Sequence, residues 1–340
     1  MSSSNSSKIG WVDAAKGIAI LLVVLGHSLR GLNSSGIVPS DFFNALDSRI
    51  YAFHMPVFFA LSGLFFARSL RQTRIAPFLW QRMLRLAWPL VLWTYLFLGV
   101  KIAAGGHANT PATLSDLLVL PFPGILHLWF LWALLLIHIG FAATRPLLQE
   151  NGYPTLALCL FAGIGLAVQI PEFPQPVAHW AGPALQYMVY FVLGLILGQS
   201  PLITLARPVP GWTKAASLVL FGGLLFIWPL IPAQALFGLA RPLGSLALTL
   251  AFLVMLAPST SPPWPGLAAF RSGLIHLGKA SMAIYLCHTI FSAFLRSALL
   301  GMGVENLWFH LIAGTLIGVI MPLVALKLAR RAGLSQLLGF

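Results

Sequence analysis

Ten apolar stretches, each near the length that crosses a bilayer, dominate this chain and leave few folds open to it. Apolar runs and their breakers place them at about 12–31, 50–68, 80–103, 126–144, 154–170, 182–199, 213–230, 240–257, 279–299 and 306–328. A spanning helix needs roughly 20 apolar residues. In lipid the backbone must satisfy its own polar groups, so each stretch is predicted to be a helix. The separators 33–40, 105–123, 171–176, 200–210 and 258–266 are rich in Gly, Pro, Ser or Thr, the chemistry of loops. Only 8% of residues are charged, against roughly 25% in ordinary globular chains. A soluble globular, disordered or fibrous protein is thereby excluded. The expected fold class is all-α, a polytopic transmembrane helical bundle of about ten spans. One membrane domain is expected over residues 1–340, with its core at about 11–328 and no appended soluble domain.

The net charge of +13 would suggest a nucleic-acid partner in a soluble chain. Here it reads as topology, because cytoplasmic loops collect Lys and Arg. With the N-terminus inside, only Arg30, Arg49, Lys101, Arg241 and Arg296 of the basic residues fall outside. Asp41, Asp47, Asp116, Glu172 and Glu305 balance them, so the outer side is neutral and the inner side holds the whole excess. Both termini are expected in the cytoplasm, with no nucleic acid as partner. Cys159 and Cys287 lie within apolar runs, which argues against a disulfide framework or a Cys-based metal site. Lys8 before a Leu/Val-rich stretch resembles a signal peptide, but no small-residue cleavage site follows Gly31, so the stretch reads as a retained first span.

Ionisable residues within spans are expensive and are the first functional candidates. Lys16 and His27 lie eleven residues apart, roughly three helical turns, so they share a face about 16 Å apart along the axis. Asp13 and Lys16 are spaced to pair at i,i+3. His54, in Phe53-His54-Met55-Pro56, opens the second span from outside, and His127, in His127-Leu128-Trp129-Phe130-Leu131, opens the fourth. His288 sits near mid-bilayer on the ninth span, after Gly278-Lys279-Ala280-Ser281. Four histidines on four helices thus map from the midplane outward. A metal site built from them is disfavoured, since no Cys or carboxylate pattern accompanies them. Ser62 and Gly63 are small enough to serve close helix packing, the role favoured here over catalysis. Arg68, Arg71 and Arg74 read as topology signals. Arg82 and Arg85, at i,i+3 before Pro89, also suit phosphate, which guanidinium forks grip bidentately.

These segments together resemble the acyltransferase-3 family of integral-membrane O-acyltransferases. Asp13-Ala14-Ala15-Lys16-Gly17 running to Gly26-His27 resembles its opening signature, a basic residue, ten intervening residues and a histidine. The Phe-His-Met-Pro…Ser-Gly segment, Arg82-x-x-Arg85, His127-Leu-Trp-Phe-Leu and Gly-Lys-Ala-Ser…Tyr-Leu-Cys-His follow in the family's order, over about residues 11–328. The opening is most similar to the fucose 4-O-acetylase-like branch. The resemblance implies transfer of an acyl group, most often acetyl, from cytoplasmic acyl-coenzyme A to a carbohydrate hydroxyl. The acceptor expected is a cell-surface or exopolysaccharide glycan or its lipid-linked precursor, and the place a bacterial inner membrane, with membrane lipids and glycan-assembly proteins as partners. His27 is expected as general base or acyl carrier, with Lys16 and Asp13 holding the inner half of the pore. Arg82 and Arg85 are expected on the donor; His54, His127, Trp129, Ser281 and His288 line the acceptor site or pore; no metal is expected. The competing reading is a proton-coupled transporter or lipid-linked sugar flippase, against which stands the near absence of intramembrane Asp and Glu.

Overall fold

The computed structural model describes residues 3–72, 74–107, 110–118, 120–144, 152–169, 173–199, 208–232, 234–236, 238–259 and 268–340. Arg145, Glu150, Glu172 and Arg207, used above for orientation, lie outside the described residues, as do the side chains of Lys8, Arg68 and Arg71. The described chain is helical, with no strand in it beyond one isolated bridge between Val209 and Ser259. In order the helices are α1 (Ser3–Ser34), α2 (Ser40–Tyr51), α3 (His54–Gln72), α4 (Ile75–Arg82), α5 (Trp88–Ala104), α6 (Trp129–Ala143), α7 (Gly152–Gln169), α8 (Gln175–Gln199), α9 (Gly211–Ile227), α10 (Ala240–Leu256), α11 (Ala268–Lys279), α12 (Ser281–Gly301) and α13 (Leu307–Arg331). Among the described residues 8 helical segments are long and apolar enough to cross a bilayer. Two shorter apolar helices, Thr155–Leu166 and Ala240–Leu256, fall where the fifth and eighth stretches were expected. The chain is a multi-pass integral membrane protein.

Boundaries move where side chains other than apolar ones take part. The first span extends to Ser34, and α8 begins at Gln175 rather than near 182. The stretch expected at 279–299 starts at Ser281, because a turn at Ala280 separates it from α11. α2 carries Asp41, Asp47 and Arg49 and α11 carries Arg271 and Lys279, so neither is continuously apolar. α2 is fastened to α1 by Arg30, whose Nε and Nη2 donate to the Asp47 carboxylate at 2.8 and 2.9 Å. The same guanidinium lies 3.5 Å over the Tyr51 ring.

Two helix pairs approach until backbones touch, and glycine permits it. α3 lies along α8, where a Cβ at Gly63 would strike the Phe191 carbonyl and one at Gly194 the Ala60 carbonyl. α1 lies along α11, with Gly17 against the Leu274 carbonyl and Gly278 against that of Asp13. Small residues at such crossings are how membrane helices gain packing without a hydrophobic drive between them. Between α4 and α5, Met83–Ala87 form a π turn. Pro89 explains its place: a proline ring collides with the carbonyl four residues before it, here Arg85, and the wider turn relieves the clash.

Candidate functional site

Three of the four candidate histidines meet. His27 comes from α1, His288 from α12 and His127 from the short 3-10 turn Leu126–Leu128 that leads into α6. Ring centroids lie 5.5 Å apart for His27–His127, 5.1 Å for His27–His288 and 5.0 Å for His127–His288. His127 and His288 are buried, whereas His27 keeps partial exposure. Access from outside the cluster is therefore through His27.

The surroundings settle the proton on one ring. His288 Nδ1 stands 2.9 Å from the Ile284 carbonyl and 2.8 Å from that of Tyr285. Carbonyl oxygens only accept, so Nδ1 carries the hydrogen and, in the neutral ring, Nε2 presents its lone pair. That Nε2 is buried with no hydrogen-bond partner among the described residues, and so is Nε2 of His127. The Tyr285 hydroxyl donates a short hydrogen bond to the His127 carbonyl, pinning the turn that carries this imidazole. Phe97 packs edge-on against His127 at 5.1 Å. Two unpaired ring nitrogens thus sit beside a third, reachable imidazole inside apolar walls. Buried polar groups without partners are uncommon and call for an explanation. Among the described residues no three His, Cys, Asp or Glu side chains are grouped to hold a metal ion.

The remaining candidates lie elsewhere. His54 turns aside: its Nδ1 donates to the Ile50 carbonyl at 2.6 Å, and its ring packs edge-on against Tyr51 at 4.4 Å. Trp129 joins an aromatic wall, 5.1 Å from Tyr187, which in turn stacks on Phe59 at 4.8 Å. Lys16 and Asp13 pair with each other at 3.6 Å near the other end of α1. With a third of the Lys16 side chain exposed, such a pair contributes only about 0–1 kcal/mol. Ser281 opens α12 two turns, roughly 10 Å, from His288. Arg82 and Arg85 differ in their surroundings. Arg82 is half-buried, with Nη2 donating to Ser69 Oγ at 3.3 Å and its guanidinium 4.8 Å over the Phe78 ring, whereas Arg85 lies in the π turn and is exposed.

His138 on α6 is a buried imidazole that the sequence reading does not single out, and its Nε2 is 3.0 Å from Ser62 Oγ on α3. The signal was present, since a histidine within Leu134-Leu135-Leu136-Ile137 and Ile139 is an ionisable group inside a span. Ser62, 76 positions away, offers no local sign of the pairing.

A membrane-embedded helical bundle with a buried imidazole cluster is the class that fold and site define. The family model described as an acyltransferase domain, acyltransferase-3, matches residues 9–327, and the chain belongs to that family. It is also similar to nodulation protein NolL of Sinorhizobium fredii, 31% identical over 191 residues, 55% of this chain and 48% of the relative. NolL of Mesorhizobium japonicum is 29% identical over 189 residues, 55% of this chain and 47% of the relative. The chain thus matches about half the length of these curated relatives. No solved structure matches it.

Proposed function

We propose that this protein is a membrane O-acyltransferase that moves an acyl group, acetyl in the first instance, from cytoplasmic acyl-coenzyme A to a carbohydrate hydroxyl on the opposite side. The observation that carries this reading is the meeting of His27, His127 and His288 from three separate segments, with unpaired ring nitrogens inside apolar walls. Membership of an acyltransferase family supports acyl transfer as the chemistry. The acceptor in this reading is a surface or exopolysaccharide glycan or its lipid-linked precursor, and the membrane is a bacterial inner membrane with both termini inside.

In the proposed step the acceptor hydroxyl gives its proton to an imidazole as its oxygen attacks the thioester carbonyl. The new C–O bond forms, the C–S bond breaks, and the thiolate takes up a proton to leave as coenzyme A. His27 is the base in this scheme because it is the one member of the cluster that is not fully buried. His288, with its lone pair fixed at Nε2, accepts a hydrogen bond from the hydroxyl or from the His27 N–H and so orients the attack. In the alternative form of the same chemistry His27 first carries the acyl group, which the acceptor hydroxyl then takes from it. Arg82 and Arg85 serve the donor's phosphates in this scheme, and Lys16 and Asp13 hold the inner half of α1.

The test is consumption of acetyl-coenzyme A by purified protein in detergent, read as free thiol, with and without glycan acceptors. Acceptor-dependent thiol release supports the reading. No release with any acyl donor or acceptor, from protein that is folded, rejects it in favour of a carrier.

A further inference from the structure

The packing role expected for Ser62 describes its neighbour Gly63, which seats α8, but not Ser62 itself. Ser62, Phe66 and Ser69 occupy positions i, i+4 and i+7 of α3 and so lie along one face. Facing them are His138 of α6 and Arg82 of α4. The His138 ring stacks on Phe66 at 5.2 Å and 14° and meets Phe191 at 5.4 Å. Phe66 also packs edge-on against Phe78 at 5.3 Å, the ring that lies beneath the Arg82 guanidinium. One aromatic block therefore links the Ser62–His138 and Ser69–Arg82 pairs.

Each pair is left incomplete. His138 Nδ1 and Arg82 Nε are both buried and without a hydrogen-bond partner among the described residues. His138 is only 2% exposed, so water does not routinely supply what is missing. Native proteins seldom keep such atoms unless a bound group satisfies them. The group that fits His138 must tolerate either ring tautomer. When Ser62 donates to Nε2, Nδ1 carries a hydrogen and needs a carbonyl; when Nε2 donates to Ser62, Nδ1 is an acceptor and needs an N–H. A secondary amide offers both. Phosphate in its ionised form offers only acceptors.

Depth places this junction where the donor's arm would pass. Gly26, beside His27, lies against Ile50 and Tyr51, just before α3 begins at His54, and Ser62 lies eight residues into α3, roughly 12 Å along its axis. That is about the reach of four extended residues, and the pantetheine arm of coenzyme A is an amide-containing chain long enough to cover it. Building on the proposed function, we propose that Ser62 and His138 form an amide-binding subsite for the pantetheine arm of the thioester donor, with Arg82 beside it on the diphosphate end. His138 is then a donor-binding residue, one arm's length from the imidazole cluster.

Equilibrium binding to the purified full chain in detergent tests this with three probes: coenzyme A, pantetheine (the arm alone) and adenosine diphosphate (the diphosphate end alone). The wild-type chain should bind coenzyme A and, more weakly, pantetheine. His138→Phe keeps an aromatic ring in an aromatic surround and should weaken both by about tenfold, roughly one to two hydrogen bonds, while leaving adenosine diphosphate binding unchanged. Ser62→Ala should weaken them less. In turnover, the Michaelis constant for acetyl-coenzyme A should rise while that for the acceptor stays constant. Wild-type affinity for coenzyme A and pantetheine in a folded His138→Phe chain overturns the subsite. Should His138→Phe not fold, the wild-type chain alone decides, because failure to bind pantetheine while binding coenzyme A also overturns it. A wild-type chain that neither binds coenzyme A nor consumes its thioesters refutes the proposed function instead, so the two failures are distinguishable.

Discussion

Replacing His27 by Ala removes the one reachable imidazole of the cluster, and the geometry sets how much should be lost. A general base must come within about 2.6–3.2 Å of the proton it takes. The other rings of the cluster have centroids 5.5 and 5.1 Å from that of His27, and both are buried behind it. Neither reaches the position that His27 Nδ1 or Nε2 occupies without movement of α12 or of the turn before α6. The loss should then be the full worth of a general base, about 10²–10⁴-fold, or roughly 2.7–5.4 kcal/mol of barrier. The vacancy would be ring-shaped and flanked by two imidazoles, so free imidazole added to the assay should restore part of the rate to His27→Ala and none to wild type. Acetyl-coenzyme A consumption by purified protein, normalised to folded protein by melting temperature, is the measurement. More than about a tenth of wild-type activity in His27→Ala without imidazole would refute the assignment of His27 to the chemistry.

His288→Ala should lower turnover with little change in either Michaelis constant, since the fixed Nε2 lone pair acts on the reacting hydrogen and not on either substrate's remote parts; a pure rise in a Michaelis constant would make it a binding residue. Arg82→Ala should raise the Michaelis constant for acetyl-coenzyme A more than that for the acceptor, with Arg82→Lys rescuing only partly because it lacks the planar fork. Arg85→Ala, at an exposed site in the π turn, should do so more weakly, and equal effects on both substrates would assign these arginines to folding or lipid contact. Gly194→Ala should drive a methyl group into the Ala60 carbonyl and part α3 from α8, costing about 1–3 kcal/mol as overpacking does, read as a lower melting temperature in detergent; an unchanged melting temperature would mean that the helices are not in contact there.

Much of the fold is legible in hydropathy alone, because lipid imposes a length and a composition on every spanning helix. What escapes is whatever does not face lipid. α2 is tethered by the Arg30–Asp47 pair and reads as a polar connection, and the turn at Ala280 that detaches α11 from α12 leaves no apolar gap. At the site, depth could be inferred but not direction around the helix axis. His27, His127 and His288 were placed at similar depth and do meet; His54, at the depth of His27, turns its ring to Tyr51 instead. The π turn at Met83–Ala87, which holds Arg85 while Arg82 ends α4, has no mark in the sequence beyond Pro89. His138 was passed over because its partner, Ser62, lies on another helix, and no periodicity within a single segment reports a contact between two.

The central claim is that an acyl group enters from one side of the membrane and is delivered on the other, past His27. Sealed vesicles carrying the protein in one orientation test it most directly. Orientation is set independently by a single cysteine at Asn33, an exposed position in the last turn of α1, in a chain with Cys159 and Cys287 replaced, labelled by an impermeant maleimide. With Asn33→Cys labelled from outside the vesicle, acetyl-coenzyme A should support transfer only when supplied inside, and acetylated glycan should accumulate outside. Donor working from the same side as the Asn33→Cys label, or product confined to the donor side, would contradict the account and leave the imidazole cluster without its proposed role.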